Sequence, residues 1–186
     1  MIGVLALQGA FQSHCDILNS IHADCKLVTR SSDFNSIKGL IIPGGESTAI
    51  SILLDKHKIR SSLIKFAKNN SVFGTCAGMI LLSSSYESKN LATLNIMDFD
   101  VDRNYWGRQI DSFLVDVKVQ GFSKDFKAYF IRAPKVSRVG TKVECIAYLD
   151  ESPILLRQGK HLASSFHPEI SGDSRIHEYY TNLVYS

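Results

Sequence analysis

Ser71-Val72-Phe73-Gly74-Thr75-Cys76-Ala77-Gly78 is the stretch on which the fold of this 186-residue chain turns. Ser71-Val72-Phe73 reads as a short apolar strand running into Gly74, and Ala77 to Leu82 reads as a helix. Between them a cysteine stands in a Gly-x-Cys-x-Gly turn. That is the strand–turn–helix grammar of a nucleophile elbow, with sulfur in place of oxygen. Small flanking residues let the chain bend sharply, so the Cys76 side chain projects from the turn instead of packing in the core. A helix starting at Ala77 would also favour the thiolate, because its amino end carries partial positive charge. The plainer alternative, a buried and inert cysteine, is the common fate of a free thiol. It is the reading for Cys15, Cys25 and Cys145, which lack flanking glycines.

Upstream of the elbow the chain alternates short apolar runs with helical patterns. Residues 2–7, 26–29 and 39–42 read as strands, and residues 11–19, 47–54 and 59–67 as helices. Unbroken apolar strands alternating with helices predict a parallel sheet covered on both faces. Downstream the pattern changes. Phe113, Val115, Val117 and Val119 alternate with more polar neighbours, and residues 127–131, 142–149, 154–157 and 161–166 are further strand candidates, several of them antiparallel and half-exposed. Asp173 opens a closing helix with Ile176, Tyr179, Tyr180, Leu183 and Val184 facing the core. The expected fold class is therefore α/β, a mostly parallel central sheet with additional antiparallel strands, in one domain over residues 1–186. In such sheets a site lies beyond the carboxyl ends of the strands. Three turns there, Gln8-Gly9, Pro43-Gly44-Gly45-Glu46-Ser47 and the elbow, should converge.

Composition removes several classes. An apolar fraction of 45% and a charged fraction of 21% exclude wholesale disorder. A net charge of +3 is too weak to suggest nucleic acid or an anionic membrane. No apolar run reaches the roughly eighteen residues of a membrane span. Met1 is followed at once by Ile2–Leu7, which reads as a strand with no basic leader. The four cysteines are far apart and form no Cys-x-x-Cys, which argues against a zinc site and a disulfide framework and points to a reducing, cytoplasmic setting.

A cysteine nucleophile needs a base. Of six histidines only His167 lies in a compact polar setting, Ser165-Phe166-His167-Pro168-Glu169. Pro168 keeps His167 out of the helical region. On an extended segment residues two apart face the same way, which would put Glu169 beside the imidazole to fix its tautomer. Taken alone the tripeptide reads more readily as a loop start with a solvated acid. Pro43-Gly44-Gly45-Glu46-Ser47-Thr48 follows a strand, and its glycines let backbone amides approach a ligand, with Ser47 able to cap the following helix. Arg103 or Arg108 could clamp a carboxylate, or belong to a surface loop anchored by Trp106. Arg132 stands at a strand end in Phe130-Ile131-Arg132-Ala133-Pro134.

These segments together resemble the class I, triad-type glutamine amidotransferases, and most closely the glutaminase subunits of pyridoxal 5′-phosphate synthases. The elbow and His167-Pro168-Glu169 are shared by all triad amidotransferases. Gly44-Gly45-Glu46-Ser47-Thr48, Arg103-Asn104 with Gly107-Arg108-Gln109, and Ile131-Arg132-Ala133-Pro134 single out the vitamin B6 branch. The resemblance implies a three-layer, flavodoxin-like sandwich. It implies Cys76, His167 and Glu169 as the catalytic triad, and Gly45, Glu46, Ser47, Arg103, Ile131 and Arg132 as L-glutamine contacts. Backbone amides at Gly9, Gly45 and Ala77 would form the oxyanion hole. It further implies no metal or organic cofactor, and a separate, barrel-shaped, oligomeric synthase subunit that receives the ammonia. Ser13, where many members carry Glu, and Trp106, in place of a smaller aromatic, depart from the pattern. The rivals are a glutaminase serving imidazole glycerol phosphate synthase, a cysteine peptidase, and a non-catalytic binding module on the same fold.

Overall fold

The computed structural model describes residues 1–86, 91–102 and 112–186. The first half runs β1 (Ile2–Leu5), α1 (Phe11–Ser20), β2 (Cys25–Val28), a 3₁₀ turn (Ser31–Ser36), β3 (Gly39–Ile42), α2 (Ser47–Lys56), α3 (Arg60–Ala67), β4 (Ser71–Thr75) and α4 (Ala77–Leu82). The second runs β5 (Ser85–Tyr86), β6 (Phe99–Asp102), β7 (Ser112–Val117), β8 (Phe126–Ile131), β9 (Lys135–Val139), β10 (Glu144–Leu149), β11 (Ser152–Gln158), β12 (His161–Ser164), a 3₁₀ turn (Pro168–Ile170) and α5 (Arg175–Tyr185).

The central sheet has seven strands in the order β10-β11-β12-β4-β3-β1-β2. From β2 to β12 neighbouring strands are parallel; β11 and β10 extend the sheet antiparallel. The parallel order 2-1-3-4-12 is the flavodoxin-like winding, with its reversal between β1 and β3. β1, β3 and β4 are buried at every residue, as continuous apolar strands between two layers must be. Their side chains divide by alternation. Leu5, Leu40, Ile42 and Val72 pack with Ile50, Leu54 and Leu63 of α2 and α3 on one face. Ile2, Val4, Ile41 and Phe73 pack with Cys15 and Leu18 of α1 and Ile176 and Tyr180 of α5 on the other. The buried Tyr180 hydroxyl reaches the carbonyls of Leu40 (2.9 Å) and Ser71 (3.0 Å), tying α5 to β3 and β4.

The antiparallel strands lie mainly outside this parallel core. β7 and β8 form a hairpin over the α1/α5 face, with Phe113 stacked on Phe130 at 4.7 Å. β5, β6 and β9 form a small second sheet. Four expectations change. The segment 161–166 is not half-exposed: β12 pairs antiparallel with β11 but parallel with β4, and is buried over Leu162–Ser164. β6 and β9 carry no strong apolar run and escape the sequence reading. The cap of α2 is Glu46, whose carboxylate accepts the N–H groups of Thr48 and Ala49, and Ser47 is the first helical residue. Cys15 and Cys25 are joined in a disulfide. The turn from α1 back into β2 brings their Cα atoms within 5.5 Å, a proximity that no cysteine spacing announces. The bridge removes the ground on which the cysteines pointed to a reducing compartment.

Candidate active site

Cys76 stands between β4 and α4 with φ +48° and ψ −103°, a backbone state that a side-chain-bearing residue adopts at a cost of about 1–3 kcal/mol. Several contacts hold it there. Its N–H donates to the Ser164 carbonyl of β12 at 2.8 Å. The flanking glycines permit close approach of backbones: a Cβ on Gly78 would lie 2.9 Å from the Ile42 carbonyl carbon, and one on Gly74 would lie 2.8 Å from Met79 N. Small residues at both positions therefore let α4 settle directly on β3 and β4, which drives the sharp bend at Cys76.

His167 follows β12, and its N–H donates to the Tyr129 carbonyl of β8 at 2.8 Å. Its φ of −102° and ψ of 87° lie outside the helical region, as Pro168 requires. Nδ1 lies 2.7 Å from Glu169 Oε1. The expected neighbour is therefore present, but for a different reason: Glu169 lies in the 3₁₀ turn Pro168–Ile170, which folds the carboxylate back onto the ring, and not on an extended segment. Both residues are buried. Gly44 packs against this group, since a Cβ there would lie 2.9 Å from His167 Nδ1 and 3.4 Å from Cys76 Cβ. The loop after β3 thus reaches both the imidazole and the elbow.

Burial alone would lower the His167 pKa, but interaction with Cys76 and Glu169 outweighs it and raises the imidazole to about 10. Burial would raise Glu169, yet its electrostatic interactions with His14 and His167 and the His167 hydrogen bond hold its carboxyl below the ordinary range. Cys76 Sγ donates to the Ile131 carbonyl at 3.7 Å, while His167 Nε2 is buried with no hydrogen bond among the described residues. That nitrogen is free to exchange a proton with a group entering beside the sulfur.

The three turns converge. Ala10 N–H donates to the Gly44 carbonyl at 3.0 Å, and Glu46 N–H donates to Gln8 Oε1 at 2.8 Å. Gly9 has φ +102°. Gly45 is exposed, Glu46 half-buried and Ser47 buried. Ala77 opens α4, so its N–H has no intrahelical acceptor and remains available to an anion. Ile131 ends the β8 strand and Arg132 follows it, both exposed, with Arg132 at φ +46°. Arg103, like Trp106 and Arg108, lies outside the described residues.

Two residues near Glu169 were not singled out from the sequence: His14 on α1 and His177 on α5. The signal was present, since His14 shares the core stripe of Phe11, Cys15 and Leu18, and His177 that of Ile176 and Tyr180. A histidine in such a stripe must find polar partners inside. Among the described residues, no group of three or more His, Cys, Asp or Glu side chains is placed to hold a metal ion, and no helix is long and apolar enough to cross a membrane.

Comparison with known proteins sets this geometry in context. The profile of the SNO glutamine amidotransferase family matches residues 4–186. The pyridoxal 5′-phosphate synthase subunit PdxT of Francisella philomiragia subsp. philomiragia is 49% identical over 182 residues, covering 98% of each chain. The protein of the same name from Francisella tularensis subsp. novicida is 47% identical over 96% of each chain. A crystal structure of a glutamine amidotransferase superposes with a TM-score of 0.95 at 40% identity, covering 100% of this chain and 99% of the other.

Proposed function

Since this chain belongs to the SNO glutamine amidotransferase family, we propose that it is the glutaminase subunit of a pyridoxal 5′-phosphate synthase, with residues 1–186 forming one glutaminase domain. It hydrolyses L-glutamine to L-glutamate and ammonia and delivers the ammonia to a partner synthase subunit, a barrel-shaped oligomer. The observation that carries this reading is Cys76, held in a strained bend beside a buried His167–Glu169 pair.

The reaction follows from that arrangement. Cys76 attacks the side-chain amide carbon of glutamine as the thiolate, its thiol proton having passed to His167 Nε2. The carbonyl oxygen becomes an oxyanion, met by backbone N–H groups at Ala77 and Gly45 and, after docking, at Gly9. His167, carrying a proton because Cys76 and Glu169 favour its charged form, gives that proton to the departing nitrogen. Ammonia leaves and a thioester to Cys76 remains. Water then attacks the thioester, His167 takes its proton, and glutamate is released with the sulfur restored. Glu169 holds the imidazole in orientation throughout. Gly45, Glu46 and Ser47 from the loop after β3, Ile131 and Arg132 from the end of β8, and Arg103 hold the amino-acid end of the substrate. The chemistry needs neither a metal nor an organic cofactor.

A partner suits the product. Ammonia protonates at neutral pH and ceases to be a nucleophile, so a shielded path to the acceptor preserves it. Such a partner, making an internal metabolite, also argues for a cytoplasmic setting. The relatives' printed names support the vitamin B6 assignment over an imidazole glycerol phosphate branch. The decisive experiment mixes the chain with candidate synthase subunits and follows glutamate formation together with pyridoxal phosphate absorbance. A glutamine-mimicking diazo ketone should alkylate Cys76 with loss of dinitrogen, adding the mass of the reagent less N₂ to the Cys76 peptide. Absence of both glutamate and adduct in the assembled complex would discard the reading.

A further inference from the structure

Behind His167 and Glu169 lies a buried polar cluster that the reaction above does not use. Glu169 places Oε1 on His167 Nδ1, and its other oxygen, Oε2, is buried with no hydrogen bond among the described residues. His14 Nε2 faces that oxygen at 3.5 Å and also lies 3.2 Å from Thr75 Oγ1. His14 Nδ1 lies 2.9 Å from His177 Nε2. His14, Thr75 and His177 are each 0% exposed and come from α1, β4 and α5. Three elements thus converge behind one carboxylate. The titratable groups facing His14 are Glu169 and His167 from the segment after β12 and His177 from α5, with the edge of Phe73 from β4 beside it.

Hydrogen-bond chemistry chooses between two arrangements of the histidine pair. In one, His177 Nε2–H donates to His14 Nδ1, and His14 carries its proton on Nε2, directed at Glu169 Oε2 and Thr75 Oγ1. His177 Nδ1, which has no hydrogen-bond partner among the described residues, is then only a bare lone pair. In the other, His14 Nδ1–H donates to His177. His14 Nε2 then sets a lone pair against a carboxylate oxygen, and His177 Nδ1 becomes a buried N–H with nothing to bond. An orphaned buried donor and an acceptor–acceptor contact both cost more than an idle lone pair. Burial favours the neutral form of both rings. It lowers His14, aided by the charge of His167 and opposed by Glu169, and it lowers His177 to about 3, aided by His14 and opposed by Glu169.

We propose that His14, as the neutral Nε2–H tautomer set by His177, is a positioning residue that holds Glu169 Oε2 so that Oε1 stays on His167. The proposal rests on the reading of Cys76, His167 and Glu169 as the glutaminase triad. It extends that triad inward through a chain of donors, each fixing the tautomer of the next.

Nitrogen-15 imidazole spectra of the labelled full-length chain test the tautomers directly. His14 and His177 should stay neutral and Nε2-protonated from pH 6 to 9. A bare His14 Nε2, or a doubly protonated His14, overturns the proposal. In the complex with synthase, His14→Leu should lower kcat by about 10–100-fold, the size typical of losing an outer hydrogen-bond partner, with KM for glutamine changed by less than about twofold. The pH limb that reports His167 should shift, and His14→Gln, which keeps a donor near the Nε2 position, should recover most of the rate. Wild-type rate and pH profile in both variants overturn the proposal. If His14→Leu does not fold, His14→Gln and the wild-type spectra decide. The pH dependence of Cys76 alkylation by iodoacetamide reads the same pairing without glutamine. A wild-type chain inactive with every synthase but showing these spectra and a His14-dependent alkylation profile would sink the glutaminase reading alone.

Discussion

The parallel part of the molecule and its antiparallel part contribute to the candidate site in different ways. The parallel strands supply the reactive side chains and the turns around them: Cys76 after β4, His167 and Glu169 after β12, Gly44–Ser47 after β3 and Gln8 after β1. The antiparallel hairpin supplies backbone. The Tyr129 carbonyl anchors His167, and the Ile131 carbonyl receives Cys76 Sγ. Burial differs in step. β3 and β4 are buried throughout, whereas β7 alternates and leaves Leu114 49% exposed. A doubly covered sheet holds reactive groups in place by packing on both sides.

The largest test of this division is Cys76→Ala. Glutamate release by the complex should fall by at least about 10⁴-fold, with synthase binding retained; appreciable residual turnover would move the nucleophile elsewhere. Phe73→Ala, in the middle of the parallel core, should cost about 3–5 kcal/mol in urea unfolding. A cost below about 1 kcal/mol would show that this core is not where stability resides.

The pH dependence is gentler and has a sign on each side. His167, raised to about 10, contributes stability fully below its unfolded value of about 6.5 and loses it as pH climbs through 10. His177, lowered to about 3, contributes fully above about 6.5 and loses it as pH falls toward 3; Glu169, also lowered, adds to the loss at the acid end. The urea midpoint should therefore peak near neutrality. Cys76→Ser should flatten the alkaline limb and leave the acid limb, and an unchanged alkaline limb would detach His167 from the sulfur. The smallest effect is expected from Leu114→Ala on the hairpin, within about 0.5 kcal/mol. A loss comparable with Phe73→Ala would erase the contrast between the two parts.

Much of the parallel part was legible because its signals are local. Ile2–Leu5, Gly39–Ile42 and Ser71–Thr75 are apolar runs flanked by turn residues, and Gly74 and Gly78 mark the bend whatever surrounds them. The antiparallel part was legible only where alternation was strong. Phe99–Asp102 and Lys135–Val139 become strands by pairing with each other, and neither segment alone declares it. Cys15 and Cys25 illustrate the same limit, since their meeting depends on how α1 returns to β2. His14 and His177 were visible as histidines in core stripes. Their partnership across 163 positions was not.

Local order along the chain was enough to determine the α/β alternation and the elbow at Cys76, because strand, turn and nearest-neighbour preferences act over a few residues. Folding in three dimensions decided that β12 lies beside β4, so that His167 reaches Cys76, and that His14 and His177 back the carboxylate. Those choices depend on which surfaces bury against which, and that free energy belongs to the packed whole and to no single segment.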